Sequence, residues 1–361
     1  MATFTGTELA DTLVGGTDPD TLDGLGGDDV LIGNGGDDVL DGGSGADSLD
    51  GGPGDDTYHA DGQHDLVFEA IDSGRDTINA GTSFYLYANV EYLFLVGSGN
   101  PYGVGNELAN TIYGQSGDNL LLGGAGDDYI VGGFGADWIY GEDGDDWLVG
   151  GTEVEVQAAE SSSDVLVGGA GNDWLDGMSG LGEQDWLYGN AGDDSYFVDS
   201  PADLVFEQAG EGIDTVYATG NEAVYLYDNV ENMVIPWYSA TRFAVGNQAD
   251  NSLTGNSLDN WLLGGGGNDW FDGRDGNDVF FGEAGADTFV FTPGDGKDVI
   301  GDFVHGVDRI SVVGIFASFA QAQAGFVQVG NDGAINFGNG NFVVLQGVDM
   351  SQLTAADFVF V

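Results

Sequence analysis

From Gly15 to His59 a large apolar residue returns at every ninth position. The stretch reads GGTDPDTLD, GLGGDDVLI, GNGGDDVLD, GGSGADSLD and GGPGDDTYH, with no gap between units. With places numbered one to nine, place one is always Gly. Place six is Asp20, Asp29, Asp38, Asp47 and Asp56, and place eight is Leu22, Leu31, Leu40, Leu49 and Tyr58. The unit GTELADTLV at 6–14 keeps the frame in weaker form, with Asp11 and Leu13. The polar, Gly-rich first six places predict a turn, because Gly accepts φ > 0 and lets backbones approach closely. The last three predict a short strand with place eight pointing in and its neighbours out. One unit buries a single side chain, which cannot offset the ordering of nine residues. The units must therefore stack, and the pattern predicts an all-β solenoid.

The frame organises most of the chain. Block one is 1–59, and 60–104 breaks the period. Block two is 105–197, from GNELANTIY through GEDGDDWLV, and then GGAGNDWLD, GLGEQDWLY and GNAGDDSYF; a polar excursion at 150–167 reads as an exposed loop. Residues 198–245 break the period again, and block three is 246–290. The two breaks are copies: DLVFE recurs at 65–69 and 203–207, and YLYANVEYLFL at 85–95 answers YLYDNVENMVI at 225–235. Their short Val-, Ile-, Tyr- and Phe-rich runs predict wider β-rungs that continue the solenoid. Residues 291–361 carry strand-like runs at 326–329, 334–337 and 342–345 and read as a β-rich cap on the last open edge.

Stacking sets the place-six carboxylates a few ångströms apart, where like charges repel. Carboxylates and turn carbonyls form an all-oxygen cage suited to a hard cation, and calcium tolerates irregular coordination better than magnesium. A disordered Gly/Asp tract is the plain alternative, and the regular return of a large apolar residue argues against it. GGxGxDxUx is the calcium-binding nonapeptide of RTX proteins. The chain resembles that family, the repeats-in-toxin or haemolysin-type β-rolls. The resemblance implies a parallel β-roll or β-helix in which two units make one coil and calcium sits between same-side turns. Its implied ligands are Asp20, Asp29, Asp38, Asp47 and Asp56; Asp128, Asp137 and Asp146; Asp173, Asp185 and Asp194; and Asp269, Asp278 and Asp287. Asn110, Asn119, Asn251 and Asn260 take place six at the starts of blocks two and three, and weak or empty sites are expected there.

Charge sharpens this picture. Of 361 residues, 62 are acidic and 5 basic, giving −57; 48 of the acids are Asp, the shorter side chain that suits turn ligands. Such a charge excludes nucleic acid as a partner. There is no Cys, so calcium takes the place of disulfides as the staple. Extracellular modules bind calcium at roughly 10⁻⁴–10⁻³ M, so the chain should be loose inside the cell and fold outside it. No segment is long and apolar enough for a membrane helix, and the first residues, MATFTGTELADTLVGG, lack the basic start and apolar run of a signal peptide. Resemblance to RTX proteins implies type I secretion machinery as the export partner, read from the C-terminal region that ends ADFVFV.

The search for catalysis assigns no residue. His59, His64 and His305 form no H-E-x-x-H, and there is no G-x-S-x-G. RTX modules accompany alginate epimerases, but uronate chemistry needs cations, and only Arg75, Arg242, Arg274, Lys297 and Arg309 are present, scattered along the chain. One feature lies outside the calcium argument. Trp138, Trp147, Trp174, Trp186, Trp261 and Trp270 all hold place seven and should point outward, with Trp138 and Trp147 on opposite faces. Large aromatics suit strands in any case. The sharper reading is a platform for a polysaccharide or a surface protein. The favoured expectation is a secreted, calcium-binding protein with a structural or cell-surface role.

Overall fold

The computed structural model describes residues 1–62, 64–152, 162–178, 184–220 and 223–361. The chain is an all-β parallel β-solenoid that divides into two compact units, Met1–Asp194 and Ser195–Val361.

In the first unit, successive nonapeptides lie on alternate faces. Thr21–Asp23 pairs in parallel with Val39–Asp41, and that strand with Thr57–Ala60. On the other face Thr12–Val14, Val30–Ile32, Ser48–Asp50 and Leu66–Phe68 pair in turn. Leu22 faces Leu40 and Leu31 faces Leu49, so partners are eighteen residues apart and two nonapeptides make one coil. Place eight lines the core: Leu22, Leu31, Leu40, Leu49, Ile112, Leu121, Ile130 and Ile139 are fully buried. Each such Leu or Ile contributes about 2 kcal/mol through burial. The 60–104 segment keeps the pairing with other spacings. Tyr58 faces Ile78, which faces Leu93, which faces Ile112, at steps of 20, 15 and 19 residues.

The second unit repeats the plan with larger core residues. Leu253, Phe271, Phe289 and Ile310 follow one another on one face, and Leu262, Phe280 and Ile300 on the other. The rings of Phe271 and Phe289 stack at 5.0 Å. On one face the parallel pattern ends at Asn341–Leu345, beside which Asp332–Gly338 and Phe326–Val329 add an antiparallel meander. The last strand, Phe358–Phe360, pairs with Arg309–Val312 and covers that edge. A one-turn helix, Phe319–Gln323, was not expected from the sequence.

Glycine serves two purposes in the turn. Gly36, at place four, has φ of 98°, and a Cβ there would lie 2.6 Å from Pro19 N. Gly33, at place one, needs no left-handed backbone. It is Gly because of what approaches it, and that approach defines the site.

Candidate metal centres

Each interior place-six aspartate is buried, and its two oxygens differ. Oδ1 accepts a main-chain N–H from the corresponding residue of the preceding coil. Asp38 accepts from Asp20 at 2.7 Å, Asp56 from Asp38 at 2.7 Å, and Asp76 from Asp56 at 2.9 Å. The other face carries a matching ladder through Asp29, Asp47 and Asp65. Further ladders run through Asp128, Asp146, Asp173 and Asp194, and through Asp137, Asp164 and Asp185. In the second unit they run through Asp269, Asp287 and Asp308, and through Asp278 and Asp298.

Oδ2 varies along the ladders, and in Asp65 and Asp308 it accepts from Gly62 N and Val304 N. In Asp29, Asp38, Asp47, Asp56, Asp128, Asp146, Asp173, Asp269 and Asp278 it is buried without a hydrogen bond. A buried acceptor left unsatisfied costs roughly 1–3 kcal/mol, more when charged, so a repeating column of them needs an explanation. Its surroundings give one. A Cβ built on Gly33 would lie 2.2 Å from Asp38 Oδ2 and 2.7 Å from the carbonyl oxygen of Gly51. The space beside place one is thus bounded by the carboxylate of its own unit and a carbonyl of the next coil. Gly24 and Gly132 show the same arrangement with Asp29 and Gly42, and with Asp137 and Gly150. An all-oxygen cradle of buried carboxylates and carbonyls fits calcium.

Protonation sharpens the case. Burial, the largest cause, lifts Asp56, Asp128, Asp146, Asp173 and Asp269 to about 7 and Asp278 to about 8, against an ordinary 3.8. Main-chain N–H bonds pull the other way, and neighbouring carboxylates add a smaller upward push. The sequence argument put repulsion first; desolvation is the larger effect. Asp20, at the column's start, is different. Its oxygens accept from Ala2 N at 2.6 Å and Gly16 N at 2.8 Å, and these bonds hold it below the ordinary carboxylate range.

The Asn positions show the uncharged version. Asn110 Oδ1 accepts from Asn106 N at 2.7 Å and its Nδ2 donates to Val90 O at 3.1 Å. Asn119 Nδ2 donates to Pro101 O at 2.8 Å, and Asn251 Nδ2 to Val230 O at 3.2 Å. In all three the amide nitrogen donates to a carbonyl of the preceding coil, while Asn119 Oδ1, like the open aspartate oxygens, is buried without a hydrogen bond.

Sequence reasoning missed part of this column. Asp164, which it placed in the 150–167 excursion, is buried, and Val165–Ala170 is a strand. Residues 153–161 of that excursion, and 180–183 of the unit GLGEQDWLY, lie outside the described residues. Asp65, Asp76, Asp298 and Asp308 are buried in the ladders without the glycine frame. The signal that could have found them is shorter: Asp, any residue, then a large apolar residue.

The tryptophans point outward. Trp138, Trp147, Trp174, Trp261 and Trp270 are exposed, and Trp186 is half-buried. Trp147 faces Trp174 across neighbouring strands, with ring centroids 5.5 Å apart. Trp138 lies in the other sheet, where Val165 separates it from Trp186. Trp138, Tyr140, Val165, Val167, Trp186 and Tyr188 enclose a groove of about 500 Å³. The acid of the terminal ADFVFV, Asp357, is a buried clasp: it accepts from Thr354 N at 2.6 Å and Gly306 N at 2.8 Å and lies 2.8 Å from His305 Nδ1.

A parallel roll whose stacked turns bury a column of open carboxylate oxygens is a divalent-cation-binding β-roll. The profile described as RTX calcium-binding nonapeptide repeat (4 copies) matches residues 5–40, 32–67, 104–139, 123–153, 159–181, 178–203 and 246–289. These matches span more than half of the chain, which belongs to that calcium-binding family. No curated protein matches. Among solved structures the chain is similar to the extracellular lipase LipA from Serratia marcescens, at 19% identity and a TM-score of 0.25. That match covers 80% of this chain and 45% of the lipase, so the chain spans less than half of that protein's length.

Proposed function

We propose that this chain is secreted, meets calcium outside the cell and only there closes its coils, and that it then serves a structural role at the cell surface or in the matrix. The observation that carries this reading is the column of buried Oδ2 atoms without partners. On this reading Asp29, Asp38, Asp47 and Asp56, then Asp128, Asp137, Asp146, Asp173, Asp185 and Asp194, and finally Asp269, Asp278 and Asp287 hold the ions with turn carbonyls. Asp20 is the weakest of the set, since both of its oxygens already accept main-chain bonds. Export through type I machinery accompanies this reading, with 291–361 as both cap and signal. The role is non-catalytic. Three of the five cations that uronate chemistry would draw on are engaged separately, with Arg75 over Tyr92, Lys297 over Phe342, and Arg242 donating to Asp259 O. Circular dichroism of the purified chain in EDTA and in millimolar calcium tests the proposal. Strand content should rise sharply with calcium; identical spectra would remove it.

The groove supports a second reading, a calcium-scaffolded module that binds a neutral polysaccharide. Trp138 and Trp186 flank Val165, and among the described residues the lining carries no ionisable acid or base apart from the tyrosine hydroxyls. Aromatic faces with hydroxyl and amide groups beside them suit a sugar ring, which has an apolar face and a polar rim. Glycan-array binding should disappear when Trp138→Ala and Trp186→Ala are combined. Binding that survives the pair excludes this groove as the ligand site.

A further inference from the structure

The first coil of the 60–104 segment lacks the glycine turn, and an acidic side chain turns inward in its place. Asp56, Glu69 and Asp76 each offer a carboxylate oxygen within 4.8 Å of the other two. Asp56 and Asp76 are 1% and 0% exposed. Their Oδ1 atoms accept N–H bonds from Asp38 and Asp56, while both Oδ2 atoms are buried with no partner.

Glu69 is held in position. The Tyr58 hydroxyl accepts from Gly51 N at 2.9 Å and donates to Glu69 Oε1, and the Ser73 hydroxyl donates to Glu69 Oε2 at 2.6 Å. A Cβ built on Gly51 would lie 2.2 Å from Asp56 Oδ2 and 2.4 Å from the Tyr58 hydroxyl, so both oxygens border one small space. A fourth acid, Glu91, accepts from Asp76 N at 2.8 Å. No lysine or arginine pairs with the three: Arg75, next in sequence, lies over the Tyr92 ring. Two buried carboxylates and a half-buried one this close, with no cationic side chain, leave a bound cation as the remaining counter-charge.

The sequence of this arrangement has an internal copy. At an offset of 138 residues the chain repeats Asp56, Tyr58, Glu69 and Asp76 as Asp194, Tyr196, Glu207 and Asp214. The Tyr196 hydroxyl again donates to Glu207. Between the copies Gln63-His64 became Pro201-Ala202 and Ile71-Asp72 became Ala209-Gly210, while these four residues are kept along with DLVFE.

We infer that Asp56, Glu69 and Asp76 form a calcium site of a second kind, in which the last nonapeptide carboxylate of block one, Asp56, is joined by two carboxylates from beyond the repeat. It sits where block one passes into the non-repetitive segment and fastens that junction. The ligands are hard oxygens with no nitrogen or sulfur donor, which selects calcium over transition metals. The inference rests on the calcium reading above only for the identity of the ion.

The test is anomalous diffraction from crystals of the full chain grown in calcium, with calcium counted on Glu69→Gln. A peak should lie about 2.3–2.6 Å from oxygens of all three carboxylates. Gln keeps the carbonyl that accepts from Tyr58, so Glu69→Gln should keep the wild-type dichroism and bind one ion fewer per chain. Peaks at the nonapeptide turns with none between these three residues would overturn this inference and leave the calcium reading standing. No peak anywhere would end both. A folded Glu69→Gln with the full wild-type count would also overturn it. Should that variant fail to fold, the wild-type map alone decides.

Discussion

Replacing Asp146 with Asn separates the two halves of the argument, because the expected effect changes sign with calcium. Asp146 is 2% exposed, its Oδ1 accepts from Asp128 N at 2.8 Å, and its Oδ2 is buried without a partner. Burial, the first cause, lifts it from 3.8 to about 7. At 1.36 kcal/mol per pH unit, holding it ionised in the metal-free fold costs about 4 kcal/mol. Asn retains the Oδ1 acceptor and carries no charge. A Cβ on Gly141 would lie 2.0 Å from Asp146 Oδ2 and 2.8 Å from Gly168 O, so a carbonyl stands beside the new Nδ2. In EDTA at pH 8, Asp146→Asn should therefore stabilise the fold, by up to about 4 kcal/mol. In millimolar calcium it should destabilise the fold, since each tenfold loss of affinity costs about 1.4 kcal/mol. Strand dichroism followed through thermal unfolding is the assay: in EDTA the variant should show more strand signal than the open wild-type chain, and in calcium it should melt lower. A shift of the same sign in both refutes the reasoning: the open oxygen would then be either an ordinary buried acid or no acid at all.

Other outcomes follow from the same geometry. Gly132→Ala should destabilise by about 2–3 kcal/mol in calcium, because its Cβ would meet Asp137 Oδ2 at 2.2 Å and Gly150 O at 2.6 Å; chemical denaturation measures it. Leu40→Ala removes a fully buried side chain and should cost about 2–5 kcal/mol, read in the same way. For pH, the metal-free carboxylates Asp56, Asp128 and Asp278 hold protons more tightly folded than unfolded. Stability in EDTA is then greatest below about pH 4 as far as these groups decide it, and falls as pH rises through 7 to 8. Melting temperatures in EDTA that instead rise from pH 5 to pH 8 would contradict those shifts.

The fold was legible because one side chain per nine residues faces inward, and a period of nine admits few solutions. Leu22, Leu31 and Leu40 sit where the pattern puts them, and the runs at 326–329, 334–337 and 342–345 are strands. The direction of the tryptophans followed from the same alternation. What stayed hidden depends on distant partners. That Asp38 Oδ1 accepts from Asp20 N is a relation across a whole coil, and no local spacing announces it. Asp76 and Asp164 lack the glycines that marked the other sites, though each keeps a large apolar residue two places on, Ile78 and Leu166. Glu69 looked like one more polar residue in a broken segment. Only the fold turns it toward Tyr58. The Phe319–Gln323 helix is a single turn, too short for periodicity to reveal.

The most direct measurement is a calcium count on the full, chelator-stripped chain by equilibrium dialysis at pH 8 in millimolar calcium. The account expects on the order of ten ions per chain, about one per pair of same-side turns, taken up together with the gain in strand signal. One or two ions, or strand signal already complete before any ion binds, would contradict it.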